Sequence, residues 1–200
     1  MALFPDLEFI NLNLQDATIH YYPNFLNLEQ ADRYFHYYLN HTTWQHDKIT
    51  VFGKTYDQPR LTAFYSEHNE PLKYSDITMH PHNFEKEFLE LKKNIEINTQ
   101  SRYNCCLINL YRDGSDSNGW HADNEKQLGK NPIIASLTLG AERFFHLKHK
   151  TKKQLKHKIL LKHGSLLLMK DKTQHFWLHQ IPKTKKQIGK RINLTFRHIK

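Results

Sequence analysis

The stretch RINLTFRHI, Arg191 to Ile199, decides the fold. Ile192, Leu194 and Phe196 alternate with Arg191, Asn193, Thr195 and Arg197, and a period of two sends the two sets to opposite faces of a strand. An ordinary surface strand turns its polar set to water. Here the apolar set could instead pack beneath helices, which puts the polar set inside a sandwich, where two arginines need an anionic partner. YNCCLINLYR, Tyr103 to Arg112, offers Asn109 and Tyr111 on one face in the same way. A small dianion inside a β-barrel would satisfy both strands; a solvated polar face remains open for either one taken alone.

Working outward, the period is two from Tyr103 onward. NPIIASLTLG, ERFFHLKHK and HKILLKHGSLLLMK read as further strands between polar or glycine turns. The earlier part reads as strand, then helix. In NLEQADRYFHYYLN, Asn27 can cap a helix whose apolar face is Ala31, Tyr34, Phe35, Tyr38 and Leu39, and NFEKEFLELKKNIEIN places Phe84, Phe88, Leu91 and Ile95 on one side. Helices first and strands afterwards give an α+β chain, mainly β: an antiparallel sandwich or barrel with helices packed outside.

Composition narrows the function. Two hundred residues suit one domain, and no Pro/Gly/Ser-rich linker divides them. The N-terminus has no signal-peptide pattern and no segment is long and apolar enough for a membrane span, so no membrane partner is expected. The only cysteines are the neighbours Cys105 and Cys106, which lack zinc-site spacing and read as reduced thiols of a cytoplasmic protein. Lys+Arg number 29 against 20 Asp+Glu. The excess gathers in KHKTKKQLKHK (Lys148 to Lys158) and KTKKQIGKR (Lys183 to Arg191), as expected either of a polyanion-binding patch or of a solvated lysine-rich surface.

GWHADNEKQL, Gly119 to Leu128, sets His121 and Asp123 two residues apart. Alone, this pair is weak evidence in a chain with 15 histidines. His179, in HFWLHQIP, is the best third ligand. Two histidines and a carboxylate on one face of an ion leave positions open, as in non-haem Fe(II) oxygenases. A zinc hydrolase could use the same ligand types but would not need the interior arginines.

NLYRDG, WHADNE, HGSLLLM, WLHQIP and RINLTFR together, in order and spacing, resemble the AlkB family of Fe(II)/2-oxoglutarate-dependent dioxygenases. The resemblance extends upstream through VFGKTYDQPR and AFYSEHNEPLKYSD, covers roughly residues 50 to 200, and is nearest to the group acting on duplex DNA. It implies a double-stranded β-helix (jelly roll) with flanking helices. Residues 1–50 would form an N-terminal extension, about 51–100 a nucleotide-recognition lid with its supporting helix, and about 101–200 the catalytic core. It implies Fe(II) at His121, Asp123 and His179, with 2-oxoglutarate and O₂ as co-substrates. Arg191 would pair with the distal carboxylate, and Arg197, Asn109 and Tyr111 would hold its other end or flank, with Asn193 and Thr195 on the same wall. A guanidinium fork suits a buried dianion better than lysine does.

For the substrate, the resemblance implies a methylated base flipped from the stack. Tyr74 in LKYSD would stack on it, and Glu125, with Asn124 beside it, would face its exocyclic amine. Phe52 with Gly53 in VFGK would form a finger filling the gap in the duplex; Lys54, Arg60, Lys183, Lys185 and Lys186 would meet phosphates. The expected activity is oxidative demethylation of 1-methyladenine and 3-methylcytosine in DNA, duplex and single-stranded, by a monomer working at the nucleoid or in the nucleus. The rivals are the same chemistry on RNA, an oxygenase with a protein or lipid substrate, and an inactive jelly roll that only binds nucleic acid.

Overall fold

The structure, a computed structural model, describes residues 8–51, 53–74 and 77–200, with backbone only at 51 and 72–74. In chain order the elements begin with β1 (Ile10–Asn11), β2 (Thr18–Tyr22) and α1 (Leu28–His41). Then come β3 (Lys48–Val51), β4 (Lys54–Asp57), β5 (Leu61–Ser66), β6 (Leu72–Tyr74), β7 (Ile77–Met79) and α2 (Lys86–Thr99). The second half runs β8 (Cys105–Tyr111), β9 (Asn118–His121), β10 (Ile134–Gly140), β11 (Arg143–His149), β12 (Lys156–Leu161) and β13 (Leu166–Lys170). It closes with the one-turn helix α3 (Thr173–Phe176), β14 (Trp177–Ile181) and β15 (Arg191–Arg197).

A seven-stranded sheet has the order β1-β2-β13-β10-β15-β8-β5, and a four-stranded sheet β12-β11-β14-β9. All their pairings are antiparallel. From β8 the chain alternates between the large and small sheets up to β11, turns at the β11–β12 hairpin, and alternates back. Thus β8–β9 runs beside β15–β14, and β10–β11 beside β13–β12. Two ribbons wound together in this way are the jelly roll, and each crossover brings a polar loop to the rim. Strands β1, β2 and β5 from the first half also join the large sheet, so residues before 101 build part of the same framework.

Alternation sorts the side chains. Ile192, Leu194 and Phe196 pack with Ala135, Leu137, Leu139, Leu166 and Leu168 against Ala31, Tyr34, Tyr38, Phe88, Leu91 and Ile95 of the helices. The other face of the large sheet contributes Ile134, Leu167 and Met169 to a second core with Phe145, Leu147 and Trp177 of the small sheet. Asn27 caps α1 reciprocally, its carboxamide accepting from Gln30 N–H at 2.8 Å while the Gln30 side chain accepts from Asn27 N–H at 3.1 Å. This arrangement contributes about 1 kcal/mol. Helix α2 ends at Gln100 in the left-handed region (φ 50°), and buried Lys92 ties it to Glu67 at 2.9 Å while pairing with Glu96 one turn on in the same helix at 3.0 Å. Cys105 and Cys106 are buried free thiols, and burial raises the pKa of both.

Candidate metal centre and its pocket

His121 is the last residue of β9 and lies directly across from His179 on β14. The two rings meet edge to face, centroids 4.2 Å apart, and Phe145 of β11 stacks on His179 at 5.1 Å. Asp123 lies two residues past β9. Its backbone N–H donates to the side-chain oxygen of Gln174 at 2.9 Å, so α3 holds the loop in place. One donor atom from each of His121, Asp123 and His179 lies within 4.8 Å of the others. His121 Nδ1 sits 2.8 Å from the Gly119 carbonyl. A carbonyl only accepts, so Nδ1 bears the proton and Nε2 keeps the lone pair a metal needs.

The charge states suit a cation. Burial, reinforced by His121, pushes His179 down to about 3, leaving it a neutral imidazole. Its 3.5 Å approach to Asp123 is therefore a contact between prospective ligands rather than an ion pair. Burial alone would raise Asp123, but Arg197, His179 and His121 overrule it and hold the carboxyl at about 2.

Asn193, Thr195 and Arg197 of the polar face of β15 line the same space, and Arg191 lies behind Tyr111, which also lines it. Arg191 is 1% exposed. Its Nη2 donates to Thr138 Oγ1 at 2.8 Å and its guanidinium lies 5.1 Å from the Tyr111 ring centre, whereas Nε and Nη1 have no partner among the described residues. Burial pulls its pKa down to about 10. Arg197 donates through Nη2 to Asp123 Oδ1, leaving its Nε without a partner among the described residues. Burial would lower Arg197, but Asp123 and Glu125 raise it above the ordinary value. Asn193 is locked onto β10 through Ser136 Oγ and the Leu137 carbonyl, both at 2.9 Å. Asn109, Tyr111, Asn193, Thr195 and Arg197 line one pocket with the three ligands.

Arg60 corrects the expectation of a phosphate contact. It is buried, donates from Nε to Asn109 Oδ1 at 2.8 Å and from Nη1 to the Ser117 carbonyl at 3.3 Å, and lines this pocket. The cause is β5: Leu61–Ser66 pairs with β8, which carries the residue before it inward beside Asn109. Of the other expected contacts, Gly53, Lys54, Lys183, Lys185, Lys186 and Asn124 are exposed. Glu125 is half-buried with Oε2 unpartnered among the described residues. Phe52 and the side chain of Tyr74 lie outside the described residues.

Several site residues escaped the sequence reading. Gln174 gave no signal, being one polar residue in a short helix. Arg143 is buried with its guanidinium near Tyr111, 5.8 Å from the ring centre, and donates to the carbonyls of Asp113, Asp116 and Pro182. Arg112 grips Asp116 with a two-pronged pair at 2.8 Å, closing the loop that feeds β9.

Facing sheets, two histidines and a carboxylate at one rim, and a half-paired buried arginine behind them define a metal-dependent oxygenase scaffold. A family model described as the 2OG-Fe(II) oxygenase superfamily matches residues 18–197, and the chain belongs to that superfamily. Within it the similarity runs to AlkB proteins. The chain is 46% identical over 154 residues to the bovine (Bos taurus) alpha-ketoglutarate-dependent dioxygenase alkB homolog 3, covering 72% of this chain and 53% of the relative. It is 38% identical over 184 residues to the DNA oxidative demethylase ALKBH2 of Arabidopsis thaliana, covering 78% and 58%. The chain thus spans little more than half the length of these relatives. Among solved structures, "The structure of OsALKBH1" superposes with a TM-score of 0.64 at 18% identity, over 90% of this chain and 97% of that one; at that identity it speaks for the fold alone.

The superfamily implies Fe(II) and 2-oxoglutarate, and the residues fit both. The donor set is two imidazoles and a carboxylate, and Arg191 keeps two buried nitrogens with no partner among the described residues, as a carboxylate site requires.

Proposed function

We propose that this chain is an Fe(II)/2-oxoglutarate-dependent dioxygenase that removes methyl groups from N-alkylated bases of DNA, 1-methyladenine and 3-methylcytosine foremost. The observation that carries this reading is Arg191: a guanidinium buried to 1% exposure with two of its three nitrogens unpartnered among the described residues, on a strand whose neighbours Asn193, Thr195 and Arg197 line the pocket of the histidine and carboxylate ligands. Bound iron with 2-oxoglutarate and O₂ supplies the oxidising chemistry that hydroxylates the methyl carbon. The chain holds and orients. Gly119 and Gln174 fix two ligands, Arg191 would receive the distal carboxylate, and Arg197 would keep Asp123 ionised while its free Nε faces the pocket. Glu125 would favour a base made cationic by methylation. Such a base has lost its Watson–Crick pair and is cheap to extrude. The activity would be exercised where DNA is, in nucleoid or nucleus. No described helix is long and apolar enough to cross a membrane.

The test is succinate and formaldehyde release from 1-methyladenine in duplex DNA, single-stranded DNA and RNA, beside His121→Ala and Arg191→Ala. Loss of both products in both variants supports the reading, and the preferred polymer names the substrate. Succinate without formaldehyde from every polymer refutes the substrate. Neither product from folded, iron-loaded protein refutes the activity.

A further inference from the structure

Away from the metal, a cleft of about 450 Å³ opens between β11 and the β14–β15 loop. This is the volume of a small-ligand site rather than a surface dimple. Its floor is apolar, with Phe144, Leu160, Pro182 and Ile188; Lys183 and Lys186 stand at its rim, and Glu142 is the sole acid lining it among the described residues. Phe144 is 40% exposed, and Lys158 places its ammonium 4.1 Å from the ring centre. None of the ion pairs among the described residues uses Lys158, Lys183 or Lys186.

The walls are pre-set. Phe144 and Leu160 face each other across the β11–β12 ladder. The loop is pinned where Arg143 donates to the Pro182 carbonyl and where Thr184 N–H donates to the Gly114 carbonyl at 2.8 Å. Gly114 permits this close approach: a Cβ there would lie 2.5 Å from the Thr184 carbonyl oxygen. The loop backbone is therefore tied down while its lysines reach outward. By contrast, Lys150 and Lys152 of the neighbouring basic run bond within the protein, to the Gln174 carbonyl and to Asp16.

We propose that this cleft is a second nucleotide site, in which an unstacked base of the single strand flanking the lesion lies on Phe144 while its phosphates meet Lys158, Lys183 and Lys186. A flat apolar floor with one exposed aromatic ring fits the face of a base, and uncompensated ammoniums fit the backbone beside it. A duplex offers no free base face and would use only the lysines. The inference rests on the proposal that the chain acts on nucleic acid.

The experiment measures binding of unmodified, fluorescein-labelled oligothymidylate to the full chain by anisotropy, for the native protein, Phe144→Ala and Phe144→Trp. The expected result is affinity about tenfold weaker for Phe144→Ala, the usual loss for one stacked base, with affinity restored by Phe144→Trp. Oligothymidylate should also quench the new indole's fluorescence, which a merely structural role for Phe144 would not produce. Unchanged affinity in Phe144→Ala, or no added quenching in Phe144→Trp, overturns the site, as does equal competition by duplex of the same length. Formaldehyde release is followed in parallel. Its absence with the binding pattern intact sinks the demethylase reading and leaves the cleft; its presence with an indifferent Phe144→Ala sinks the cleft alone.

Discussion

Arg191→Met separates a structural arginine from one waiting for an anion. Burial pulls this guanidinium from its ordinary range down to about 10, which at ~1.4 kcal/mol per tenfold costs the folded state about 3 kcal/mol. A base depressed by folding binds its proton less tightly there than in the unfolded chain. The penalty is therefore whole below about 10 and relieved only as pH rises from there through the unfolded value; near neutrality all of it is present. The hydrogen bond to Thr138 and the face of Tyr111 return about 1 kcal/mol each. Methionine fills a similar volume without charge, so the ligand-free variant should be more stable by about 1 kcal/mol, a rise of roughly 2–4 °C in Tm for a chain of this size.

The assay is scanning calorimetry with Mn(II) as a redox-inert stand-in, with and without 2-oxoglutarate. At a hundred times its dissociation constant the co-substrate should add about 2.7 kcal/mol to the native protein, roughly 5–10 °C, and nothing to Arg191→Met. A ligand-free variant melting several degrees below the native chain would refute the argument, because the free nitrogens would then be satisfied already. A full 2-oxoglutarate shift in the variant would refute the anion assignment.

Three further outcomes are expected. Gln174→Ala strands the buried Asp123 N–H, and should cost about 1–3 kcal/mol in denaturant unfolding and weaken iron binding by about 10–100-fold in a chelator titration. Arg143→Ala removes the donor to three carbonyls; it should cost about 2–4 kcal/mol and speed hydrogen exchange at Thr184, whose amide bonds to Gly114. Replacing Lys183, Lys185 or Lys186 with alanine should each lower the slope of log affinity for DNA against log salt by about 1; an unchanged slope removes that lysine from the interface.

What was legible in the sequence was whatever short-range periodicity encodes. The alternation of Arg191–Arg197 placed the apolar set under the helices, Asn193, Thr195 and Arg197 in the pocket and Arg191 against Tyr111 of its wall, and Asn27 marked the start of α1. Metal-ligand spacing and the AlkB-like motifs then named His121, Asp123 and His179. What stayed illegible was partner choice at long range. Arg60 looked like a surface cation because nothing local reveals that β5 pairs with β8. Gln174 reaches Asp123 across 51 positions, and Arg143 reaches Asp113, Asp116 and Pro182 from three sides of the rim. The KHKTKKQLKHK run looked uniform, yet Lys150 and Lys152 are taken up internally while Lys158 is turned toward Phe144.

The division of labour between the sheets explains why one fold can hold both cofactors without being stable at their expense. His121 and His179 belong to the small sheet, while Arg191, Asn193 and Tyr111 belong to the large one. The ribbons cross between sheets and the second core packs them together, so each set is rigid, while the two sets meet across the polar part of the interior. That interior contains guanidinium nitrogens with no partner among the described residues, each costing desolvation energy. A dianion reaching from the metal to Arg191 would satisfy groups on both sheets at once, so binding should tighten the sandwich as well as fill it. Apolar packing of the first and second cores must therefore be strong enough to tolerate a frustrated centre, and the all-buried strands β8 and β15 show how the chain meets that demand.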